Sequence, residues 1–126
     1  MRLVFASIVM LMSIETAAHA DTLASSPAHG GGTQKAAVCY ILNSSSSNLS
    51  VSDVKIIKEP NGEVLPVVTN NCPPTFGPGG ICRSVSNLSS GDVVACIVTL
   101  SPEANARASM EIRSSTNEIL NSKDLR

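Results

Sequence analysis

From about residue 34 to the C-terminus, apolar and polar residues alternate in short segments that turn-forming residues separate. Alternation with a period of two is typical of β-strands that bury one face. The alternation slips at Ser52-Asp53, which indicates a β-bulge. Asn61-Gly62 is a hairpin signal, and Pro66 in the following strand indicates a sheet edge, because proline has no N–H to donate. The pattern predicts seven strands, at residues 37–43, 49–59, 64–69, 81–88, 93–100, 104–112 and 118–125.

Two structures compete for the segment Ala104–Ile112. Ser101 is a suitable N-cap, Pro102 suits the first helical position, and the alanine content favours a helix. Against this, apolar residues occupy every second position over nine residues, which indicates a strand. We predict a strand, and the alternating apolar residues are Ala104, Ala106, Ala108, Met110 and Ile112.

Short strands joined by tight turns predict an all-β fold, a small antiparallel β-sandwich of immunoglobulin-like architecture with about seven strands. The sandwich is predicted to be one domain that spans residues 34–126. The chain has no tryptophan, and beyond the N-terminal segment Tyr40 and Phe76 are its aromatic residues. Its core is therefore expected to consist of valine, isoleucine, leucine and alanine, and a small aliphatic core benefits from cross-links.

The N-terminus is typical of a secretory signal peptide. A positive start at Met1-Arg2 precedes the apolar run Leu3–Ile14, and Ala18-His19-Ala20 fits the cleavage pattern. The apolar run is shorter than the roughly 20 residues that span a bilayer, so no membrane span is predicted. We predict that residues 1–20 are removed and that the mature chain is exported to the periplasm or the extracellular space. Residues 21–33 are small and lack periodicity, which predicts a flexible N-terminal tail.

Four cysteines, an even number, lie in the exported part of the chain. Export places them in an oxidising compartment, where disulfides form. Four cysteines allow three pairings. Cys72 and Cys82 bracket a turn-rich segment, whereas Cys39 and Cys96 lie in two strongly apolar strands. We therefore predict the disulfides Cys39–Cys96 and Cys72–Cys82.

The layout as a whole resembles a group of small exported bacterial proteins of uncharacterised function. The similarity runs through "VCYILN", a serine-rich turn, "VKIIKEPNGEV", a Pro/Gly loop with cysteine, "VVACIVTL" and "ARASMEIRSSTNEIL". It covers most of the mature chain. It implies an exported β-sandwich with a comparable arrangement of cysteines, strands and turns, and it brings no catalytic or binding residues.

Several chemistries find no support in the sequence. His29 is the one histidine of the mature chain, and no two cysteines have the spacing of two to four residues that zinc sites usually show. "HGGG" at 29–32 resembles an esterase oxyanion loop, but the Gly-x-Ser-x-Gly elbow that such enzymes need is missing. A net charge of −1 and 2% aromatic residues do not fit nucleic-acid binding. We predict a non-catalytic protein without a metal or cofactor.

The stretch "NNCPPTFGPGGIC" at 70–82 is the candidate binding loop. Pro73 and Pro74 stiffen it and the predicted disulfide closes it, so an exposed Phe76 would be pre-organised for docking. In the alternative, Phe76 folds back and caps one end of the sandwich.

The function expected from these features is an exported, non-catalytic binding or structural module, with a protein as the possible partner. One alternative is an enzyme inhibitor or a small enzyme that acts through the Cys72–Cys82 loop. Another is an envelope or extracellular assembly subunit that associates through an open sheet edge, at the strand 64–69 or at the C-terminal strand.

Overall fold

A computed structural model describes residues 20–126, which form two antiparallel β-sheets in a sandwich arrangement. Sheet A has the strand order β1-β8-β3-β4, with β6 also paired to β3, and sheet B has the order β10-β9-β2-β7-β5. The predicted all-β sandwich is therefore confirmed. The strands are β1 (Asp21–Ala24), β2 (Gln34–Asn43), β3 (Leu49–Lys58), β4 (Glu63–Val64), β5 (Val67–Asn70), β6 (Thr75–Phe76), β7 (Ile81–Asn87), β8 (Val94–Ser101), β9 (Ala106–Ser114) and β10 (Ile119–Asp124).

The predicted signal peptide lies outside the described residues except for Ala20. Within residues 20–126 no helix is long and apolar enough to cross a membrane.

The described residues contain ten strands where the sequence predicts seven. One of the three additional strands arises because the predicted strand 64–69 divides at Leu65-Pro66. Its first half pairs with β3 in sheet A and its second half pairs with β7 in sheet B. Both halves lie at a sheet edge, as Pro66 predicts.

The prediction of a flexible tail at residues 21–33 is wrong for the first part of that segment. Residues 21–24 form β1, which pairs antiparallel with β8, and Ala28 makes a further bridge to Val94. Leu23 is 5% exposed and belongs to the hydrophobic core. The segment has one large apolar residue and no periodicity of its own, so its strand depends on the edge that β8 offers.

The inner faces of the two sheets form one aliphatic core. Cys39 in β2 and Cys96 in β8 connect the sheets across it, with Cα atoms 6.2 Å apart. The second predicted disulfide, Cys72–Cys82, is also present, with Cα atoms 4.8 Å apart. The largest fully buried apolar side chains around the intersheet disulfide are Ile41, Leu49, Ile56, Val94, Val98, Leu100, Met110 and Ile112.

The contested segment is a strand from Ala106 onward, as the alternation predicts, whereas the first predicted position, Ala104, is exposed and lies outside the strand. Met110 and Ile112 of β9 point into the core, whereas Arg107 is exposed on the opposite face. The helix signals correspond to a single 3₁₀ turn at Glu103–Asn105, which follows Pro102 directly. The predicted bulge in β3 is confirmed as a register shift between Val51 and Asp53.

Candidate functional site

The Pro/Gly loop caps one end of the sandwich. It leaves β5 in sheet B, pairs with β3 of sheet A through β6, and returns to β7 in sheet B. Phe76 is half-buried and packs against the core, so the alternative in which it folds back is the one observed. Pro73 and Pro74 are exposed. The solvent-facing parts of the loop are therefore Pro73-Pro74-Thr75 and Pro78-Gly79, without the aromatic anchor.

Asn43 holds this loop in place. Its side chain is fully buried, and its amide nitrogen donates to the carbonyls of Ser47, at 2.8 Å, and Phe76, at 3.1 Å. Its side-chain oxygen accepts from the backbone N–H of Ser45. The backbone of Asn43 also bonds in both directions, since its N–H donates to Gly80 and its carbonyl accepts from Gly79. Asn43, at the end of β2, thus connects the serine-rich turn after it to Phe76 and to Gly79-Gly80 of the Pro/Gly loop.

We expect Asn43→Ala to lower the free energy of unfolding by about 2 kcal/mol, because it removes the donor to the partly buried carbonyl of Phe76 and the acceptor of the Ser45 N–H, while the Ser47 carbonyl keeps only the Ser45 hydroxyl. Urea unfolding of the mature chain measures the loss. The control is Asn48→Ala at an exposed position nearby, which is expected to change little. A loss for Asn43→Ala no larger than that of the control would contradict the assigned role.

The outer face of sheet B is apolar at its centre. Tyr40 and Leu42 of β2 point away from the core and are half-buried, whereas the alternate residues Cys39 and Ile41 are fully buried. Ile81, directly opposite Leu42 on β7, is 67% exposed. Strands of a sandwich usually turn polar residues to solvent, so its apolar outer face distinguishes β2 from a usual sandwich strand. At the end of the sheet nearest the loop, the cross-strand neighbours on this face are Ile81, Leu42 and Arg107. Two residues further along the strands, the cross-strand neighbours are Arg83, Tyr40 and Ser109.

A groove of about 900 Å³ opens beside this apolar centre. It exists because β10 does not cover the beginning of β9, with which it pairs antiparallel. The last β10 residue, Asp124, lies opposite Ser109, whereas β9 begins at Ala106. The chain then bends away, and Arg126 exchanges two backbone hydrogen bonds with Ala24 of β1, at 3.0 and 3.1 Å. Ala106 and Arg107 of β9 are left beyond the end of β10.

The groove combines an apolar floor with a charged rim. We call its apolar lining the floor: Tyr40 and Leu42 contribute from the outer face of β2, and the buried side chains of Leu23, Ala106, Ala108 and Leu125 contribute from the core side. The four charged side chains of the rim are Glu103, Arg107, Asp124 and Arg126. Among the described residues, Arg107 forms no salt bridge. An exposed guanidinium without a partner is available to a carboxylate of a ligand.

Arg113, further along β9, has a different environment. Its Nε and Nη2 both donate to one carboxylate oxygen of Glu111, at 2.9 and 2.6 Å. This hydrogen-bonded contact with Glu111 raises the pKa of Arg113, so the guanidinium stays protonated. Arg113 also bonds to Asn117, at the turn before β10. It therefore fixes the β9–β10 hairpin, and Arg107 is the arginine that remains available in this strand.

The segment 29–32 connects Ala28 to β2. His29 is exposed, and the backbone N–H of Gly30 donates to the buried side chain of Gln34 at 2.7 Å. A β-carbon added at Gly30 would lie 2.8 Å from Ile112, so the backbone packs closely against the core there. The segment is therefore held against the core at Gly30, whereas His29 and Gly32 are exposed. In residues 20–126 no three His, Cys, Asp or Glu side chains are placed to hold a metal ion together.

The groove is not among the features that the sequence predicts. The predicted binding residues Pro73, Pro74 and Phe76 lie in the loop, whereas Tyr40, Leu42 and Arg107 line the concave surface. One signal in the sequence points to the groove: "AVCYIL" is apolar on both faces, which is unusual for a strand with one face in water.

Comparison of the chain with protein-family models, curated proteins and solved structures finds no match.

Proposed function

We propose that this chain is an exported, non-catalytic binding module that holds an extended segment of a partner protein in the outer-face groove. The observation that carries the proposal is the apolar, half-buried pair Tyr40 and Leu42 on the solvent side of a central strand, at the floor of the groove. Ligand sites are concave and mostly apolar, with a small number of polar groups that fix orientation.

The two disulfides support the exported character, because such cross-links persist in oxidising compartments such as the periplasm and the extracellular space. The groove residues support binding over catalysis. Ser109 is the hydroxyl of the groove other than Tyr40, and no histidine lines the groove that the described residues form. A serine without a base is a poor nucleophile.

The shape of the groove favours an extended protein segment as the ligand. Within residues 20–126, Ala106 has no strand beside it past the end of β10, and because its N–H donates to the carbonyl of Glu103, its carbonyl is the backbone group that remains for an added strand. Beside it, the floor accepts one apolar side chain, and Arg107 attracts an acidic residue. We propose a ligand in which a large apolar residue and an acidic residue lie close together in extended conformation.

A displayed library of random peptides tests the proposal, since it samples apolar and charged residues in every order and needs no identified partner. Selection on the mature chain is expected to enrich peptides that contain an apolar residue beside Asp or Glu. Selection on the variant Arg107→Glu is expected to reverse the charge and enrich Lys or Arg. Tyr40→Ala should weaken the selected peptides by about tenfold or more, since truncation of a buried aromatic anchor commonly costs 2 kcal/mol or so.

Arg83→Glu is the matched control, because Arg83 is an exposed arginine of the same sheet face that lies outside the groove. It should leave the charge preference of the selected peptides unchanged. Peptides that bind wild type, Arg107→Glu and Tyr40→Ala equally well would refute the proposed site, and so would a library that yields no binder.

A further inference from the structure

A second apolar surface lies at the edge of the sandwich remote from the groove. We define the valine strip as residues 64–71, "VLPVVTNN", which contain no charged side chain. Val64, Val67 and Val68 are 54%, 43% and 54% exposed, and they are three of the five exposed large apolar residues in the part of the chain that the structure describes. An edge with so many exposed apolar side chains is unusual in a protein that stays monomeric.

Both sheets end at the valine strip. β4 is the last strand of sheet A and β5 is the last strand of sheet B, so neither has another strand from residues 20–126 on its outer side. Pro66 and the register shift between Val67 and Thr69 interrupt the backbone edge. These interruptions oppose a long continuous strand pairing with another chain. A contact at this edge therefore depends mainly on the valine side chains.

The charges beside the strip suggest what covers it. Glu63 directly precedes the strip, and its side chain is 64% exposed although it contacts Lys58 at 3.5 Å. Arg83 lies at the other end, where its backbone exchanges two hydrogen bonds with Asn71. Arg83 is exposed and forms no salt bridge with any residue from 20 to 126. The strip thus has an acidic end, an uncharged middle and a basic end.

We propose that the valine strip binds the same strip of a second copy of this chain around a two-fold axis. In an antiparallel arrangement Glu63 of each copy meets Arg83 of the other, and the valines meet in the middle. A partner with charge of a single sign would satisfy only one of the two ends. A two-fold contact uses the strip of both copies, so association stops at a dimer and does not continue into fibres.

The dimer is expected to be weak. Eight residues extend over about 26 Å at roughly 3.3 Å per residue. A strip of that length covers less than the roughly 800 Å² per partner that stable complexes bury. We therefore expect a monomer–dimer equilibrium with a dissociation constant in the range of about 0.1–1 mM.

Sedimentation equilibrium of the mature chain tests the proposal at concentrations from about 10 μM to about 1 mM. Wild type is expected to shift from monomer to dimer over this range. Val68→Lys should weaken the dimer about tenfold or more, because it places two ammonium groups in an apolar contact. The control is Ile119→Lys, which changes a residue that is 53% exposed on β10, outside the strip, and should leave the equilibrium unchanged.

A charge exchange tests the orientation. Glu63→Arg and Arg83→Glu should each weaken the dimer about fivefold, as expected for the loss of exposed ion pairs. The double variant should return to within about twofold of wild type, because it restores both pairs with reversed sign. Circular dichroism verifies that each variant is folded.

Three results would overturn the proposal: a monomer throughout the concentration range, a dimer that Val68→Lys does not weaken, or a double variant as weak as the single ones. None of these variants changes the groove, so peptide selection on the same proteins reports on the proposed function separately.

Discussion

A chain that begins at Gln34 is expected to be about 4–6 kcal/mol less stable than one that begins at Asp21, a large share of the roughly 5–15 kcal/mol by which a typical protein is stable. Removal of residues 21–33 takes Leu23 and Ala28 out of the core, and a buried leucine alone contributes about 2–3 kcal/mol. It also removes the Ser25 hydroxyl that accepts from the buried backbone N–H of Cys96 at 2.9 Å. An N–H that loses its partner in the interior costs a further 1–3 kcal/mol or so.

The C-terminal end is affected as well, because Arg126 loses both of its backbone hydrogen bonds to Ala24. Urea unfolding of the two chains measures the difference. Two controls keep the chain full-length: Leu23→Ala should cost about 2–4 kcal/mol, whereas Thr22→Ala, at an exposed position of the same strand, should cost little. Equal midpoints for the short and the long chain would mean that β1 contributes nothing to the folded state.

The strands that the sequence predicts are those whose burial follows from local pattern alone. β9 is the clearest example, since Ala106, Ala108, Met110 and Ile112 reach the core by alternation and override the helix signals at Ser101 and Pro102. The bulge at Ser52 and the edge position of Pro66 are equally local, because each rests on one residue that interrupts the pattern. The disulfide pairing follows from the apolar or turn-rich surroundings of each cysteine.

The features that the sequence does not predict depend on contacts between distant parts of the chain. β1 contains a single large apolar residue, Leu23, and it becomes a strand only because β8 leaves an edge open beside it. The division of strand 64–69 between two sheets likewise depends on where β3 and β7 lie. Neither set of partners can be inferred from the four residues of β1 or the six residues of the segment 64–69.

The groove likewise depends on contacts between distant parts of the chain. It requires that β10 end at Asp124, that Arg126 pair with Ala24, and that β9 continue past both. The apolar outer face of β2 is visible in the sequence and indicates a central strand. That interpretation is correct, since β2 lies in the middle of sheet B. It is incomplete because the same residues, Tyr40 and Leu42, also form part of the floor of a concave surface.

Replacement of Cys39 and Cys96 by alanine is expected to lower the free energy of unfolding by about 4 kcal/mol. The two residues are 57 positions apart, so their cross-link removes a large part of the freedom of the unfolded chain. Both side chains are fully buried between the sheets, and alanine leaves a cavity where the sulfur atoms lay. Cys72→Ala with Cys82→Ala should cost less, about 3 kcal/mol, because that disulfide closes only ten positions of chain.

The two losses differ in kind as well as in size. Without Cys72–Cys82, the Pro/Gly loop keeps the hydrogen bonds that Asn43 makes with Phe76, Gly79 and Gly80, so the fold should persist and circular dichroism should remain that of wild type. Without Cys39–Cys96, a thin aliphatic core without tryptophan must hold two sheets together alone. We expect this variant to unfold first on heating and at the lowest urea concentration. If the variant without Cys72–Cys82 proved the less stable of the two, the intersheet disulfide would not be the main covalent support of the sandwich.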